Sequence, residues 1–231
     1  RGGVLDHPQA RVLFRKSAEQ GHPEAACSLG WMYRKGIGGD PDFSAALGWF
    51  LISAERGNDW GQFALGNMYA SGLGVPKDFS KALDWYRRSA EQGYIMAQRE
   101  LGVLYENGNG VSRDYAAALE WYEKAAGKGD DIAQHNLGNM LERGLGTAPD
   151  GAKAYYWYEK SLEQGYQPAK KALTRLAIAH AGVQGADAQS GSAWQDALGA
   201  AGHRNSPSSL TKEADSAYSA GTYRKAAKLY R

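Results

Sequence analysis

The sequence has little that would fix its chemistry or its compartment. It has a single cysteine, Cys27, in 231 residues, which excludes an intrachain disulfide and leaves the redox compartment open. Its formal net charge of +2 is too balanced to predict nucleic acid or acidic lipid as a partner. No apolar run reaches the roughly 20 residues that a membrane-spanning helix needs. The informative feature is therefore the pattern in which the other residues recur.

One glycine position recurs every 36 residues, at Gly21, Gly57, Gly93, Gly129 and Gly165. A constant period of this size indicates an array of stacked repeats. In the repeat that ends at Gly93, apolar residues from Trp60 to Ser71 are spaced by three and four residues, which predicts a first helix. A Gly-x-Gly loop follows, then the N-cap candidate Asp78 and a second predicted helix. Each repeat is therefore expected to be a helix-turn-helix unit.

Each predicted first helix has a glycine directly after a leucine, at Gly30, Gly66, Gly102 and Gly138. A glycine inside a helix costs about 1 kcal/mol relative to alanine, so its recurrence needs a structural reason. We expect another backbone segment to pass too close for a β-carbon there. The Gly-x-Gly loops are expected to be turns and not phosphate sites, because no strand precedes them.

Other positions shared by the repeats hold leucine, tyrosine, tryptophan and aspartate. They are Leu29, Leu65, Leu101 and Leu137; Tyr33, Tyr69, Tyr105 and Leu141; Trp49, Trp85, Trp121 and Trp157; and Asp42, Asp78, Asp114 and Asp150. With the Leu-Gly pair and the Gly-x-Gly loop, this pattern resembles the Sel1-like repeat family over about residues 6 to 165. The resemblance implies an all-α fold, a right-handed α/α superhelical solenoid of helix-turn-helix repeats that is related to tetratricopeptide arrays and serves as a protein-interaction scaffold.

The pattern divides the chain into five kinds of segment. Residues 1–21 match the second helix of a truncated repeat, and four full repeats follow at 22–57, 58–93, 94–129 and 130–165. Residues 166–181 begin another first helix with Thr174 at the glycine position, and we expect them to cap the array. Residues 182–209 are expected to be a Gly/Ser/Ala linker with at most a short helix near 192–200, and residues 210–231 resemble an incomplete tetratricopeptide-like unit. We expect the arrays to continue beyond both Arg1 and Arg231.

No group of residues has the spacing of a catalytic, cofactor or metal site. The five histidines are scattered and lack a ligand-spaced partner. Cys27 lies in a predicted helix without a nearby His or Asp, and the repeated aspartates occur once per repeat, too far apart for an acid–base pair. We therefore predict that the protein is not an enzyme and has no cofactor and no metal.

The positions at which the repeats differ are the candidates for partner binding. By the resemblance, a concave groove is formed by the first-helix residues two before, two after and five after each leucine of the Leu-Gly pair. These groove positions hold Cys27, Trp31 and Arg34; Phe63, Asn67 and Ala70; Arg99, Val103 and Glu106; and His135, Asn139 and Glu142. All except Cys27, Ala70 and Val103 are predicted partner-binding residues. Trp31 and Phe63 are expected to be exposed anchors for a bound peptide, with neutral drift on a solvated face as the alternative.

The tryptophan at the same position of each full repeat is expected to belong to the stacking core, although a ligand-binding aromatic ladder stays open. The predicted function is a non-enzymatic scaffold that binds a protein or peptide in the groove. A bacterial cell-envelope assembly such as exopolysaccharide export is a more specific version, with the periplasm or envelope favoured over the cytoplasm. The alternative is a carbohydrate- or murein-binding envelope protein. No nucleic acid partner and no membrane insertion are expected.

Overall fold

The computed structural model describes residues 7–184 and is helical throughout this range apart from the connecting turns. The helices are α1 (His7–Glu19), α2 (Pro23–Lys35), α3 (Phe43–Glu55), α4 (Asp59–Ser71), α5 (Phe79–Glu91), α6 (Ile95–Asn107), α7 (Tyr115–Gly127), α8 (Asp131–Arg143), α9 (Gly151–Glu163) and α10 (Gln167–Gln184). The chain forms two compact units, residues 1–121 and 122–231, and α7 spans the division. Among the described helices, none is both long and apolar enough to cross a membrane.

The predicted N-caps begin the second helix of each repeat. Asp42, Asp78, Asp114 and Asp150 each accept a hydrogen bond through Oδ1 from the backbone N–H three residues later, at 2.9 to 3.0 Å. This bond satisfies one of the amide groups that have no partner within the helix. The caps also explain why the helix starts are regular, because the same side chain fixes the same register in every repeat.

The Gly-x-Gly loops are turns, as predicted. Their first glycines, Gly36, Gly72, Gly108 and Gly144, have φ between 66° and 72° and end the first helices in the left-handed conformation. The second glycines have positive φ as well, and they also permit a close contact. A β-carbon at Gly74 would lie 2.7 Å from the backbone oxygen of Phe43, at the start of the previous repeat's second helix. This loop therefore packs backbone against backbone.

The glycine after each leucine has a different neighbour. A β-carbon at Gly66 would lie 2.6 Å from ring atoms of Tyr86, on the second helix of the same repeat. Equivalent β-carbons at Gly30 and Gly138 would lie 2.8 Å from the rings of Phe50 and Tyr158. The expectation of a passing backbone is therefore wrong at Gly30 and Gly66, because an aromatic ring occupies the space. At Gly138 the backbone oxygen of Ala154 would also lie 3.1 Å from the β-carbon. The glycine lets that ring lie flat across the first helix.

The buried aromatic of each full repeat is the residue after the tryptophan. Phe50, Tyr86, Tyr122 and Tyr158 are at most 2% exposed. The tryptophans themselves are only half-buried, and the guanidinium of Arg88 lies 4.5 Å from the ring centroid of Trp85. In the first unit the core is completed by leucine, methionine and alanine from successive helices, notably Leu65, Met68 and Leu101. Trp85 therefore covers the edge of the core, while Tyr86 fills its centre.

Buried polar side chains link the helices of the first unit, and the sequence analysis did not anticipate them. Ser89 Oγ donates to the backbone oxygen of Asp59 at 2.7 Å, as Ser53 does to that of Pro23. Gln62 Nε2 donates to the backbone oxygen of Ala54 at 3.2 Å, at the end of the preceding helix. The serine bonds join the second helix of a repeat to the first turn of its first helix, and the glutamine bond joins a first helix to the end of the preceding second helix.

The second unit repeats this arrangement in α8 and α9. Ser161 Oγ donates to the backbone oxygen of Asp131 at 2.6 Å, and Gln134 Nε2 donates to that of Ala126 at 3.1 Å. Helix α10 packs on α9 with Leu173 and Leu176 buried, and it occupies the segment predicted to cap the array. The predicted linker begins within α10, whereas the rest of that linker and the tetratricopeptide-like unit lie outside the described residues.

Candidate functional site

The predicted groove residues all lie on first helices, and they differ widely in exposure. Trp31 on α2 is 39% exposed, whereas Arg34, Asn67, Arg99, Glu106, His135, Asn139 and Glu142 are half-buried. Trp31 and Arg34 lie one turn apart on the same face of α2. Because the two units are separate bodies, each has its own candidate surface.

Phe63 is a core residue and not an exposed anchor. It is 9% exposed, and its ring centroid lies 5.8 Å from that of Tyr86 and 5.0 Å from that of Tyr94. Cys27, at the same position of α2, is fully buried. The prediction that Phe63 anchors a peptide is therefore wrong. The residue two before the leucine points between helices, where an apolar side chain is covered.

In the first unit, the hydroxyl of Tyr86 reaches the groove face of α4. It donates a hydrogen bond of 2.8 Å to Oδ1 of Asn67. Burial raises the pKa of Tyr86, as does the charge of Glu100, while the positive charges of Arg34 and Arg99 act in the opposite direction. The phenol is therefore a neutral donor that holds the amide of Asn67 in one orientation.

On α6, the groove residue Arg99 forms an ion pair with a residue of the same helix. The guanidinium of Arg99 bonds Oε1 of Glu100 at 3.2 and 3.3 Å, and its side chain is 16% exposed. None of the ion pairs among the described residues includes Arg34, on the face that also carries Trp31. Within residues 7–184, Arg34 therefore has no carboxylate partner.

In the second unit, Glu142 is enclosed by its own chain. Arg175 Nε and Nη2 donate to its two carboxylate oxygens at 3.1 and 2.6 Å, and the hydroxyl of Tyr158 donates to Oε2 at 2.7 Å. Burial alone would raise the pKa of Glu142, but the bonds from Arg175 and Tyr158 and the nearby positive charge lower it overall. The carboxylate is therefore ionised and fully used within the protein.

His135 lies between two aromatic rings of the second unit. Its ring centroid is 5.3 Å from those of Tyr158 and Tyr166, and its buried Nδ1 has no hydrogen-bond partner among the described residues. Burial lowers the pKa of His135, and the charge of Arg175 lowers it further, against the opposing effect of Glu142. Asn139 accepts a 3.4 Å bond from Arg143, so this face is largely satisfied from within.

Sequence reasoning missed the tyrosine hydroxyls and Arg175. The rings of Tyr86 and Tyr158 belong to the core, but their hydroxyls reach the groove residues Asn67 and Glu142. A usable signal is present in the sequence, because this position holds phenylalanine in one full repeat and tyrosine in the other three, and only tyrosine carries a polar group. Arg175 lies in α10, beyond the repeats from which the groove positions were taken.

Cys27 is not a reactive thiol, and the described residues form no metal-binding group. Burial raises the pKa of Cys27 to about 12, despite a hydrogen bond with Ser53, so its thiol stays protonated and is enclosed. Within residues 7–184, no three His, Cys, Asp or Glu side chains are grouped in a way that could hold a metal ion. The chemistry of both surfaces is therefore that of hydrogen bonding, charge and aromatic contact.

Comparison with known proteins identifies the fold. The chain is similar to c5321, a protective antigen present in uropathogenic Escherichia coli strains that displays an SLR fold, with 31% identity over 97% of this chain and a TM-score of 0.75. It is also similar to a Sel1 repeat protein from Oxalobacter formigenes, with 35% identity over 72% of this chain and a TM-score of 0.68. The chain spans 42% and 66% of these two proteins, respectively. The predicted fold class, an all-α solenoid of helix-turn-helix repeats, is confirmed.

The family comparison agrees with the structural one. The Sel1 repeat profile matches residues 2–22, 23–58, 61–94, 95–130 and 131–166. Among curated protein sequences, none matches the chain. Sel1 repeat proteins are generally non-catalytic scaffolds for protein–protein interactions. By its repeats and by its structural relatives, the chain belongs to the Sel1 repeat family.

Proposed function

We propose that this protein is a non-enzymatic scaffold that binds a peptide segment of a partner protein on the groove face of its first unit. The observation that carries the proposal is Trp31, which is 39% exposed on a first helix whose neighbouring positions are polar. A large aromatic side chain that is exposed beside a charged side chain is typical of an interface anchor. The matching face of the second unit is a weaker candidate, because Glu142 is occupied by Arg175 and Tyr158.

The contrast between fixed and variable positions supports this surface. The core aromatics and the caps are the same in nearly every repeat, whereas the groove face of the first unit carries Trp31, Arg34, Asn67, Arg99 and Glu106. With Phe63 in the core, the anchor is Trp31 alone, and Asn67 with the hydroxyl of Tyr86 forms the polar floor. A peptide would therefore be held by one aromatic contact and several hydrogen bonds.

The cellular setting is a further proposal. A role in a bacterial cell-envelope assembly such as exopolysaccharide export rests on the change to tetratricopeptide-like sequence near residue 210. Sel1 proteins of bacteria are among the structural relatives, which agrees with a bacterial origin.

Selection from a random peptide library on the purified protein tests the function. We expect enriched peptides to bind the wild type and to lose at least about tenfold in affinity when Trp31→Ala is introduced. Leu51→Ala is the matched control, because Leu51 is 37% exposed but lies on the second helix α3. Affinity should be unchanged in this control, as should helicity in both variants.

Two results would contradict the proposal. If the selected peptides bind Trp31→Ala and Leu51→Ala equally well, the groove face of the first unit is not the binding surface. If no peptide is enriched while a polysaccharide or murein binds in a Trp31-dependent manner, the carbohydrate-binding alternative is favoured.

A further inference from the structure

In the second unit, the carboxylate of Glu142 is bound by three hydrogen-bond donors of the same protein. Arg175 donates two hydrogen bonds to Glu142, at 2.6 and 3.1 Å, and the hydroxyl of Tyr158 adds a third at 2.7 Å. A two-pronged guanidinium contact with an additional hydroxyl donor is among the stronger ways to bind a carboxylate in a protein. The ring that carries this hydroxyl is held by the core, against Gly138.

The first unit keeps the tyrosine hydroxyl of this arrangement without the carboxylate, and Val103 stands at the position of Arg175. Tyr86 occupies the position of Tyr158 two repeats earlier, whereas the position of Glu142 is held by Ala70. The hydroxyl of Tyr86 donates to Oδ1 of Asn67 instead, at 2.8 Å. That bond orients the Asn67 amide, so its Nδ2 group remains a donor directed away from Tyr86.

Arg34 supplies a positive charge that acts on Tyr86, the hydrogen-bond partner of Asn67. It is half-buried, it takes part in none of the ion pairs among the described residues, and its charge acts on the Tyr86 hydroxyl. Arg34 and Asn67 are 33 residues apart, as are Glu142 and Arg175, which face each other across neighbouring first helices of the second unit. From this spacing we expect the Arg34 guanidinium to lie beside the Asn67 amide of the next repeat.

We propose that Arg34 and Asn67 bind the side-chain carboxylate of an aspartate or glutamate in a partner peptide, while Trp31 packs against an apolar residue beside it. Arg34 donates from its guanidinium and Asn67 from Nδ2, and Tyr86 is a positioning residue that fixes the Asn67 amide. The nearby charge of Arg99 is paired with that of Glu100, so Arg34 is the cation assigned to the ligand. This inference rests on the proposed function and adds the chemistry of the ligand to it.

Peptides selected from the random library are the probe for this inference. We expect the Trp31-dependent peptides to contain Asp or Glu next to an apolar residue, and replacing that acid by Asn or Gln should weaken binding roughly tenfold or more. Arg34→Gln should weaken the acidic peptide by a similar factor and leave the amide-containing peptide unchanged. Lys35→Gln is the matched control, because Lys35 is an exposed cation in the same helical turn, and we expect a change of less than about twofold.

Tyr86→Phe tests the positioning role separately. It removes the bond that orients Asn67 but keeps the ring, and Phe50 shows that phenylalanine fits this position of the repeat. We expect weaker binding of the acidic peptide and unchanged binding of its amide counterpart. A purely structural role for the hydroxyl would weaken both peptides equally.

The outcomes separate this inference from the function on which it rests. If Trp31-dependent peptides bind without needing an acid, or if Arg34→Gln and Lys35→Gln weaken binding equally, the carboxylate site is wrong while the scaffold function stands. If binding depends on a free C-terminal carboxylate and not on a side chain, as a comparison of amidated and free-acid peptides would reveal, the proposed source is wrong. If no peptide depends on Trp31, both proposals fail.

Discussion

Tyr86 in the first unit and Tyr158 in the second occupy the same position of the repeat, yet their hydroxyls have different partners. Each ring lies against the glycine that follows the leucine, Gly66 or Gly138. The hydroxyl of Tyr86 bonds a neutral amide, that of Asn67, whereas the hydroxyl of Tyr158 bonds the carboxylate of Glu142. The repeat therefore fixes where the hydroxyl lies, and the variable residues on the first helix decide what it bonds.

The difference has a consequence for binding. Glu142 is satisfied by Tyr158 and Arg175, so the second unit needs no outside carboxylate. The first unit has Ala70 at that position and leaves Arg34 outside the ion pairs of the described chain. The position five residues after the leucine, together with Val103 at the position of Arg175, thus separates a surface that is satisfied internally from one that is available to a ligand.

A large loss of stability is expected from a substitution at the glycine after the leucine, a position that both units share. Gly66→Ala would place a β-carbon 2.6 Å from the ring of Tyr86, and such overpacking typically costs about 1–3 kcal/mol, which exceeds the gain of about 1 kcal/mol in helix propensity. Gly48→Ala is the matched control, because Gly48 is exposed in α3 with no atom within 4 Å of the added carbon. Urea unfolding should give a lower stability for Gly66→Ala and a slightly higher one for Gly48→Ala. Stabilisation by both substitutions would mean that the glycine is only tolerated.

A loss of stability of comparable size should distinguish the two hydroxyls. Tyr158→Phe removes a hydrogen bond to a charged group and should cost about 1.5–3 kcal/mol, whereas Tyr86→Phe removes a bond to an amide and should cost about 0.5–1.5 kcal/mol. The free energies of unfolding of the two variants provide the comparison. Equal losses would indicate that Glu142 gains no more from its tyrosine than Asn67 does.

The second unit should also respond to acid. Because the pKa of His135 is lowered in the fold, mainly by burial, its contribution to stability is present above the unfolded value of 6.5 and is lost as the pH falls through the folded pKa. The lowered pKa of Glu142 has the same sign in a lower window, beginning near its ordinary value of 4.5. We expect the unfolding free energy to fall from about pH 6.5 downward, and His135→Gln to flatten the upper part of that decline. An unchanged profile in this variant would contradict the assignment.

The smallest effect on stability is expected from the substitution of Arg175, the exposed partner of Glu142. The Arg175 side chain is 56% exposed, and salt bridges of exposed groups contribute about 0–1 kcal/mol. Arg175→Gln should therefore change the free energy of unfolding by less than about 1 kcal/mol, and high salt should reduce the difference from wild type further. A loss larger than that of Tyr158→Phe would show that Arg175 dominates the site.

The sequence predicted the helix pairs, the aspartate caps and the glycine turns, because each depends on residues close together in the chain. It did not predict what lies against Gly66, since that contact is with a ring 20 residues away on another helix. Phe63 was misplaced for a related reason, because counting positions along one helix does not reveal that Tyr86 and Tyr94 cover it. The pairing of Glu142 with Arg175 depends on α10, which departs from the repeat at Thr174.

The most direct test of the central claim is to give the first unit the carboxylate that the second unit has. Ala70→Glu places a glutamate at the position of Glu142, 16 residues before Tyr86, as Glu142 is before Tyr158. The measurement is the affinity of the selected acidic peptide, by fluorescence anisotropy, for this variant and for Ala70→Gln. We predict that Ala70→Glu weakens binding by roughly tenfold or more, because the new carboxylate competes for Arg34 and Asn67, while Ala70→Gln changes it by less than about twofold. Equal affinities of the two variants would contradict the claim that this position controls whether the surface is available to a ligand.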